Sequence, residues 1–241
     1  MFAGMDVICY VSLPRKNRMF ELFSNTEVID IILLTMQMTV ISTTISAALG
    51  IPFGLLLEKA QFPGKKIVVA FNRTLMATPP VVAGLVVFLA IRSTGPFGRL
   101  GLLFTLEAMI IAQVLLITPI ICGIVHTAAT RHGDRIRSFA KTIGANQLQT
   151  EILIVKELGN EVFFSVVTGY GRAMSEVGAI MIVGGNIRYH TRTMTTSITM
   201  MTRMGEFEQA ILFGIILMVI AFMVQLLGSI LRRREQPNEN F

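Results

Sequence analysis

The sequence predicts an all-α integral membrane protein with five transmembrane helices. Of its 241 residues, 53% are hydrophobic and only 15% are charged, whereas soluble domains carry about 25% charged residues. Five apolar segments are each long enough to cross a bilayer core, which takes about 20 helical residues. Strict alternation of apolar and polar residues is absent from the sequence, so a transmembrane β-barrel is not indicated.

The five apolar segments also predict an orientation. They are residues 28–57, 67–91, 103–129, 162–184 and 209–231. The loops after the first and third segments, together with the C-terminal tail, carry eleven Lys and Arg residues, whereas the other two loops carry five. Because cytoplasmic loops are enriched in Lys and Arg, the N-terminus is expected outside and the C-terminus in the cytoplasm.

The chain is expected to hold one membrane domain, residues 27–231, between an extracytoplasmic segment, 1–26, and a cytoplasmic tail, 232–241. Residues 1–18 disturb the charge pattern, since Arg15, Lys16 and Arg18 would lie outside. We therefore expect Met19 to be the natural start, so that residues 1–18 would not be native.

Two loops stand out by length and composition. The hydrophilic loop 130–161 has apolar residues at steps of three to five, which predicts an amphipathic helix broken by a turn. The outward loop 185–208 is crowded with threonines, and we expect it to be a polar loop.

Motifs for catalysis or for binding a metal or nucleotide are missing. The sequence has no phosphate-binding loop, hydrolase elbow or paired-cysteine site. His126 and His132 are interpreted as solvated or interfacial residues, the alternative being metal ligands. The basic residues form no stripe with interleaved aromatics, which argues against nucleic-acid binding. We therefore expect a transport subunit rather than an enzyme, with no cofactor or metal of its own, driven by a coupling ion or a partner.

Three charged residues stand out inside the apolar segments, where each charge costs about 2.5–3.5 kcal/mol on insertion scales. Arg172 and Glu176 are four residues apart, on one helix face. They either shape the pathway or gate of an anion or form a structural ion pair. Arg73 either guides an anion or extends toward the cytoplasmic headgroups.

Two consecutive prolines interrupt the second apolar segment. Pro79 and Pro80 cannot donate backbone hydrogen bonds, which predicts a kink. The carbonyls that this frees would repel an anion, so the hydroxyls of Thr74 and Thr78 are better candidates to face one. The kink serves either as a gate or only for packing.

The loop 130–161 contains a recognisable pattern. Residues 138–144 and Ile154 resemble the cytoplasmic EAA loop of ABC importer permeases, with matches at Ala140, Gly144 and Ile154. We expect Ala140 and Gly144, one helical turn apart, to offer a smooth surface that docks on an ATPase subunit. The coupling residues implied by this resemblance are Ser138, Ala140, Lys141, Gly144, Ala145 and Ile154.

Residues 75–84 and 171–187 resemble blocks of molybdate and tungstate permeases, and residues 188–199 are most similar to the tungstate-type branch. The resemblance implies a type I ABC importer permease in a bacterial inner membrane, acting as a homodimeric pore. It also implies two ATPase subunits that use ATP and Mg, and an external oxyanion-binding protein. Arg188, His190 and Arg192 in the outer loop would seat that protein, or else belong to an ordinary solvated loop.

Other functions remain compatible with the residues. Within the same class, the cargo is molybdate, sulfate or another tetrahedral oxyanion instead of tungstate. An ion-coupled secondary anion transporter would need its own coupling site and often shows inverted repeats, neither of which is found. A membrane scaffold would not need charges inside its spans.

Overall fold

The computed structural model describes residues 26–235, and every regular element in that range is a helix. The predicted start at Met19 and most of the two predicted terminal segments lie outside the described residues. The α-helices, in chain order, are α1 (Thr26–Lys59), α2 (Lys65–Met76), α3 (Pro80–Ile91), α4 (Leu106–Thr142), α5 (Gln147–Glu157), α6 (Gly159–Met174), α7 (Gly178–Gly184), α8 (Met194–Met204) and α9 (Phe207–Glu235). A short 3₁₀ helix, Gly98–Leu100, lies between α3 and α4.

Three of the described helices, α1, α4 and α9, are long and apolar enough to cross a membrane, and α2 with α3 makes a fourth if the pair counts as one span. The sequence predicted a kink in the second segment, but the structure divides it into two separate helices, α2 and α3, that meet at 101°. The break falls at Pro79 and Pro80, which supply no N–H to continue the helix. The backbone N–H of Thr78 closes the end of α2 by donating to the carbonyl of Leu75, at 3.1 Å.

The fourth predicted segment, 162–184, is not one helix. It is divided into α6 and α7 by residues 175–177, so five unbroken spanning helices are not confirmed. Glu176 stabilises the break, because its Oε1 accepts from the N–H of Ala179 at 3.0 Å. The hydroxyl of Thr195 donates to the carbonyl of Glu176 at 2.9 Å. The break follows from these contacts, which replace the lost helical hydrogen bonds.

Helix α4 runs past the predicted end of the third segment at residue 129 and continues to Thr142. Its 37 residues give a length of about 55 Å, at about 1.5 Å per residue, against a hydrocarbon core of about 30 Å. After a turn at Gly144, which has a φ of 70°, the chain forms α5. This confirms the predicted amphipathic helix broken by a turn.

Helix α1 packs along α4, and a buried polar chain joins both to α6. The hydroxyl of Ser42 on α1 donates to Oε1 of Gln113 on α4 at 2.6 Å. The amide nitrogen of Gln113 in turn donates to the carbonyl of Ala173 on α6 at 2.9 Å. Because all three residues are buried, these hydrogen bonds fix the relative register of three helices.

Helices α3 and α7 approach each other at backbone distance. A Cβ added to Gly84 would lie 2.6 Å from the Cα of Ala179, and one added to Gly178 would lie 2.8 Å from Cγ2 of Val81. A buried apolar cluster surrounds this contact and includes Ala83, Val87, Met109, Ala112, Ile180 and Val183. The core of the described chain therefore includes the contact between these two short helices and α4.

The outer segment 185–208 is not the polar loop expected from its threonines. It contains α8, which begins with a capping box in which Thr193 and Thr196 each accept from the other's backbone N–H. The N–H of Met194 donates to the hydroxyl of Thr35 on α1 at 3.0 Å. Threonine hydroxyls in this segment are buried because backbone groups satisfy them. The buried hydroxyl residues are Thr191, Thr193, Thr195, Thr196 and Ser197.

The contact between α3 and α7 predicts opposite effects for two glycine substitutions. Gly84→Ala should destabilise the protein by about 1–3 kcal/mol, because its methyl group overlaps Ala179. In the matched control, a Cβ on Gly214 of α9 meets nothing within 4 Å, so Gly214→Ala should be neutral or stabilise by up to about 1 kcal/mol. The thermal unfolding midpoint of the detergent-solubilised protein measures both. Equal midpoints for the two variants would contradict the close approach.

Candidate functional site

The candidate site lies where the two broken helices meet. The break between α2 and α3 adjoins the break between α6 and α7, because Val81 in the first turn of α3 faces Gly178 at the start of α7. Non-helical backbone at membrane depth persists only where protein buries it or where it lines a cavity. Two adjacent breaks are therefore a distinctive feature, and the charged residues predicted from the sequence lie beside them.

Arg172 and Glu176 form an ion pair, one of the two alternatives drawn from the sequence, although Glu176 lies in the break after α6 rather than on the same helix face. Nη1 of Arg172 lies 2.9 Å from Oε2 of Glu176. The other carboxylate oxygen, Oε1, accepts from the N–H of Ala179. The side chain of Glu176 is 2% exposed and that of Arg172 is 33% exposed. This geometry favours a structural role for Glu176, whereas the guanidinium of Arg172 keeps a face open beside the break.

The hydroxyl groups at the proline break are engaged with the backbone. The hydroxyl of Thr74 donates to the carbonyl of Ala70 at 3.1 Å, and that of Thr78 donates to the carbonyl of Thr74 at 3.2 Å. Thr74 and Pro79 are exposed, and Thr78 and Pro80 are half-buried. An anion could accept from either threonine only after the hydroxyl rotated away from its carbonyl.

The coupling residues taken from the EAA resemblance divide into a buried and an exposed group. Ala140 and Ile154 are fully buried, Ile154 in a cluster with Ala129 and Leu158. Ser138, Lys141 and Gly144 are exposed, and Ala145 is half-buried.

The expected smooth surface of Ala140 and Gly144 is therefore wrong. Gly144 lies beyond the end of α4 with a φ of 70°, so the two residues do not stack one helical turn apart. Glycine suits this turn because it has no Cβ to oppose a positive φ.

An apolar face takes the place of that surface. Phe139, Ile143, Leu148 and Ile152 surround the turn between α4 and α5, and all four are at least half exposed, with Leu148 at 71%. The apolar set whose steps of three to five residues predicted a broken amphipathic helix consists of these four residues and Val155, which is half-buried. Exposed apolar side chains that lie close together are typical of interaction surfaces. We call these four residues the coupling tip.

Two ion pairs, which the sequence reasoning missed, tie the coupling tip to the end of α1. Nη1 of Arg137 on α4 donates to Oε1 of Glu58 at 2.8 Å, and Nη2 donates to Oε2. Nζ of Lys59 lies 2.8 Å from Oε1 of Glu151 on α5. The only sign of these ion pairs in the sequence is the adjacent charges of Glu58 and Lys59 at the end of an apolar segment. Such charges do not show which distant residues will be their partners.

At the opposite end of the helices, two of the three docking candidates hold a carboxylate. Arg188 donates to Glu27 through Nε at 2.9 Å and through Nη2 at 2.6 Å, and Arg192 donates to it through Nη1 at 3.2 Å. The hydrogen bond to Glu27 raises the pKa of Arg188 above its ordinary value. His190 is exposed. Sequence reasoning missed Glu27, which lies in the first turn of α1, far from both arginines along the chain.

A cavity of about 340 Å³ lies between the C-terminal part of α1, helix α2, the middle of α4 and the first turn of α6. Its ionisable lining consists of Arg73, His126, Arg131, His132 and Glu161. The described part of the chain contains no group of three or more His, Cys, Asp or Glu side chains suited to a metal ion.

Residues 50–236 match the family model described as "Binding-protein-dependent transport system inner membrane component". The tungstate uptake system permease protein TupB of Peptoclostridium acidaminophilum is 43% identical over 198 residues, covering 82% of this chain and 87% of that protein. A probable anion ABC transporter permease protein of Haloferax volcanii is 36% identical over 220 residues, covering 89% and 94% respectively.

The fold is also found in solved structures. The crystal structure of a bacterial ABC transporter involved in the import of the acidic polysaccharide alginate contains a chain that matches with a TM-score of 0.76. The match covers 92% of this chain and 84% of that chain at 18% identity, and it shows the shared fold alone. From the family match, the identities and the fold together, this chain belongs to the binding-protein-dependent transport system inner membrane components, the permease subunits of ABC importers, and is a transport component rather than an enzyme.

Proposed function

We propose that the chain forms the pore of an ATP-driven importer for a tetrahedral oxyanion, and that this oxyanion is tungstate. The observation that carries the proposal is the 43% identity with a tungstate uptake permease over 82% of the chain. Two copies of the chain enclose the pathway, two cytoplasmic ATPase subunits hydrolyse ATP with Mg, and an extracytoplasmic binding protein delivers the anion. Molybdate and sulfate are the alternative cargoes.

The coupling tip is the surface that docks on the ATPase. Its exposed apolar side chains surround the turn at Gly144, and the basic side chain of Lys141 lies next to them in the sequence. Helix α4 connects this tip to the membrane core without interruption. The excess of Lys and Arg in the loops on this side supports a cytoplasmic location. Movement of the ATPases would therefore be transmitted along α4.

The adjacent helix breaks form the gate. Breaks let short helices shift against one another at a few residues, as hinges do. The partly exposed guanidinium of Arg172 attracts an oxyanion at this level, and Glu176 holds that side chain in place through the 2.9 Å ion pair. Thr74, Thr78, Pro79 and Pro80 form the opposite wall. Binding here must be weak, since a pathway that holds its ion tightly cannot release it.

The outer basic residues receive the binding protein. Glu27 aligns Arg188 and Arg192, and the exposed side chains of Arg188 and His190 face outward. Positive charge on this rim suits an acidic surface on the binding protein and would accelerate encounter.

The cargo proposal predicts which ion accumulates in cells. Cells that contain the complete importer should take up tungsten from tungstate, and cells that lack this chain should fall to background. Excess sulfate should not reduce uptake, whereas molybdate should compete in part, since it resembles tungstate more closely in size. Elemental mass spectrometry of washed cells measures the accumulated metal. Uptake of sulfate in place of tungstate would refute the assignment of the cargo.

The docking proposal predicts a charge-sensitive surface. Leu148→Glu should reduce retention of the ATPase subunit by about tenfold or more, because hot-spot residues contribute roughly 2 kcal/mol or more. Leu100→Glu is the matched control, since Leu100 is similarly exposed in the 3₁₀ helix, well away from the tip. Co-purification and ATP-dependent uptake are the measurements. Equal retention by the two variants would exclude the coupling tip as the docking surface.

The ion pair at the helix break predicts a graded loss of stability. Glu176→Ala should destabilise the protein by about 1–3 kcal/mol, because it leaves the buried N–H of Ala179 without an acceptor. Glu176→Gln should lose less, since its amide oxygen still accepts from the N–H of Ala179. Glu208→Ala, at an exposed position, is the control and should leave the thermal unfolding midpoint unchanged. If Glu176→Ala matched this control, the structural role of the pair would be wrong.

A further inference from the structure

The cavity between α1, α2, α4 and α6 carries more positive than negative charge. Arg73 enters it from α2, Arg131 and His132 enter it from α4, and Glu161 is its one carboxylate. The volume of about 340 Å³ lies within the range of small-molecule sites, about 300–1,000 Å³. Along α4, Arg131 precedes Phe139 of the coupling tip by eight residues, or about 12 Å of helix. Basic pockets between transmembrane helices at such a level bind anionic lipid headgroups.

A second cavity adjoins the first and is almost entirely apolar. It has a volume of about 330 Å³ and is lined mainly by α1, α2 and the loop between them. Leu57 and Asn72 line both cavities, so the two are neighbours separated by no more than these side chains. The amide of Asn72 donates to the carbonyl of Pro119 on α4 at 3.2 Å, which holds this side chain against α4. The apolar wall includes Phe53, Leu56, Phe62, Val68, Phe71 and Leu75.

This combination of linings distinguishes between two anionic ligands. A free oxyanion would use only the cationic cavity, and the apolar groove beside it would have no function. A phospholipid carries both a phosphate and an acyl chain, and it matches both linings at once. The apolar groove opens on exposed aromatic side chains of the membrane helices, Phe53 and Phe71, where lipid is the surrounding solvent.

We propose that these two cavities bind one anionic phospholipid of the leaflet on the side of the coupling tip. Arg73, Arg131 and His132 contact its phosphate, and one acyl chain lies in the groove beside Phe71. This assigns Arg73 to a headgroup rather than to the transported anion. The lipid would fill the space between the hairpin of α1 and α2 and the long helix α4. The site goes beyond the transport function and does not depend on the identity of the cargo.

The sequence contains no tryptophan, which allows a direct test with one introduced fluorophore. The full chain with Phe71→Trp is reconstituted with phospholipids that carry bromine on the acyl chain and quench tryptophan on contact. Brominated phosphatidylglycerol should quench at a lower mole fraction than brominated phosphatidylcholine. In the control, Phe222→Trp on the exposed face of α9 should be quenched equally by both lipids.

Charge variants in the Phe71→Trp background test the headgroup contact. Arg131→Gln and Arg73→Gln should each weaken the binding of phosphatidylglycerol by about fivefold, the effect of one basic residue near an anionic surface. Arg135→Gln is the matched control, because Arg135 is exposed on the same helix and does not line the cavity. Two variants from different helices guard against a folding defect in one of them.

Four results would overturn the proposal. One is the absence of a preference for phosphatidylglycerol over phosphatidylcholine at Phe71→Trp. Another is an equal effect of Arg131→Gln, Arg73→Gln and Arg135→Gln. Release of phosphatidylglycerol by millimolar phosphate or tungstate would point to a soluble oxyanion as the ligand. If neither lipid quenched Phe71→Trp, a second copy of the chain would be the occupant of the groove.

Discussion

The continuity of α4 is the constraint on which the rest of the structure depends. This helix alone passes from the centre of the described core to the coupling tip, with Pro119 inside it but no break. Ser42 and Ala173 are joined to it through Gln113, and the cluster around α3 and α7 packs on the same helix. A displacement of the coupling tip would therefore move α4, which contacts both broken segments, α2 with α3 and α6 with α7. Ion pairs from Glu58 and Lys59 keep the tip in register with α1.

Broken helices are tolerated here because new hydrogen bonds replace backbone partners at both breaks. At the proline break, the N–H of Thr78 donates to the carbonyl of Leu75, and Pro79 and Pro80 have no N–H that would need an acceptor. At the other break, Glu176 and Thr195 supply the acceptor and the donor that a continuous helix would have provided. The breaks can lie side by side because Gly84 and Gly178 have no side chains to separate α3 from α7. The proposed gate and a dense core thus occupy the same place.

The outer end of the molecule shows how polar residues are buried in this protein. Threonines between residues 191 and 196 donate to or accept from backbone groups, so that α8 belongs to the core rather than to a solvated loop. Glu27 pairs with both arginines, but the side chain of Arg192 is largely buried whereas that of Arg188 stays exposed. The exposed basic surface at this end is consequently smaller than the count of arginines suggests.

The sequence by itself determined the class of the protein, most of its spans and its family. The length of an apolar segment determines where a chain can cross a membrane, and proline determines where a helix is interrupted. Both features could therefore be predicted from the local sequence. The four apolar residues of the coupling tip were also visible from their spacing, although their exposure was not. An ion pair of Arg172 with Glu176 was one alternative drawn from the sequence, but the expected shared helix face was not found, because Glu176 lies beyond the end of α6.

Only the tertiary structure decided which of these residues are buried and which distant ones meet. Ala140 is buried and Gly144 is exposed because the chain leaves the helix between them, which a helical spacing rule cannot show. The outer threonines are buried because α1 and the break at Glu176 supply hydrogen-bond partners from remote parts of the chain. Glu27 and Glu58 pair with arginines that are far away in the sequence and close only in the folded chain. The local sequence therefore could not predict these pairs. Local pattern sets the elements, and the packing of those elements sets the site.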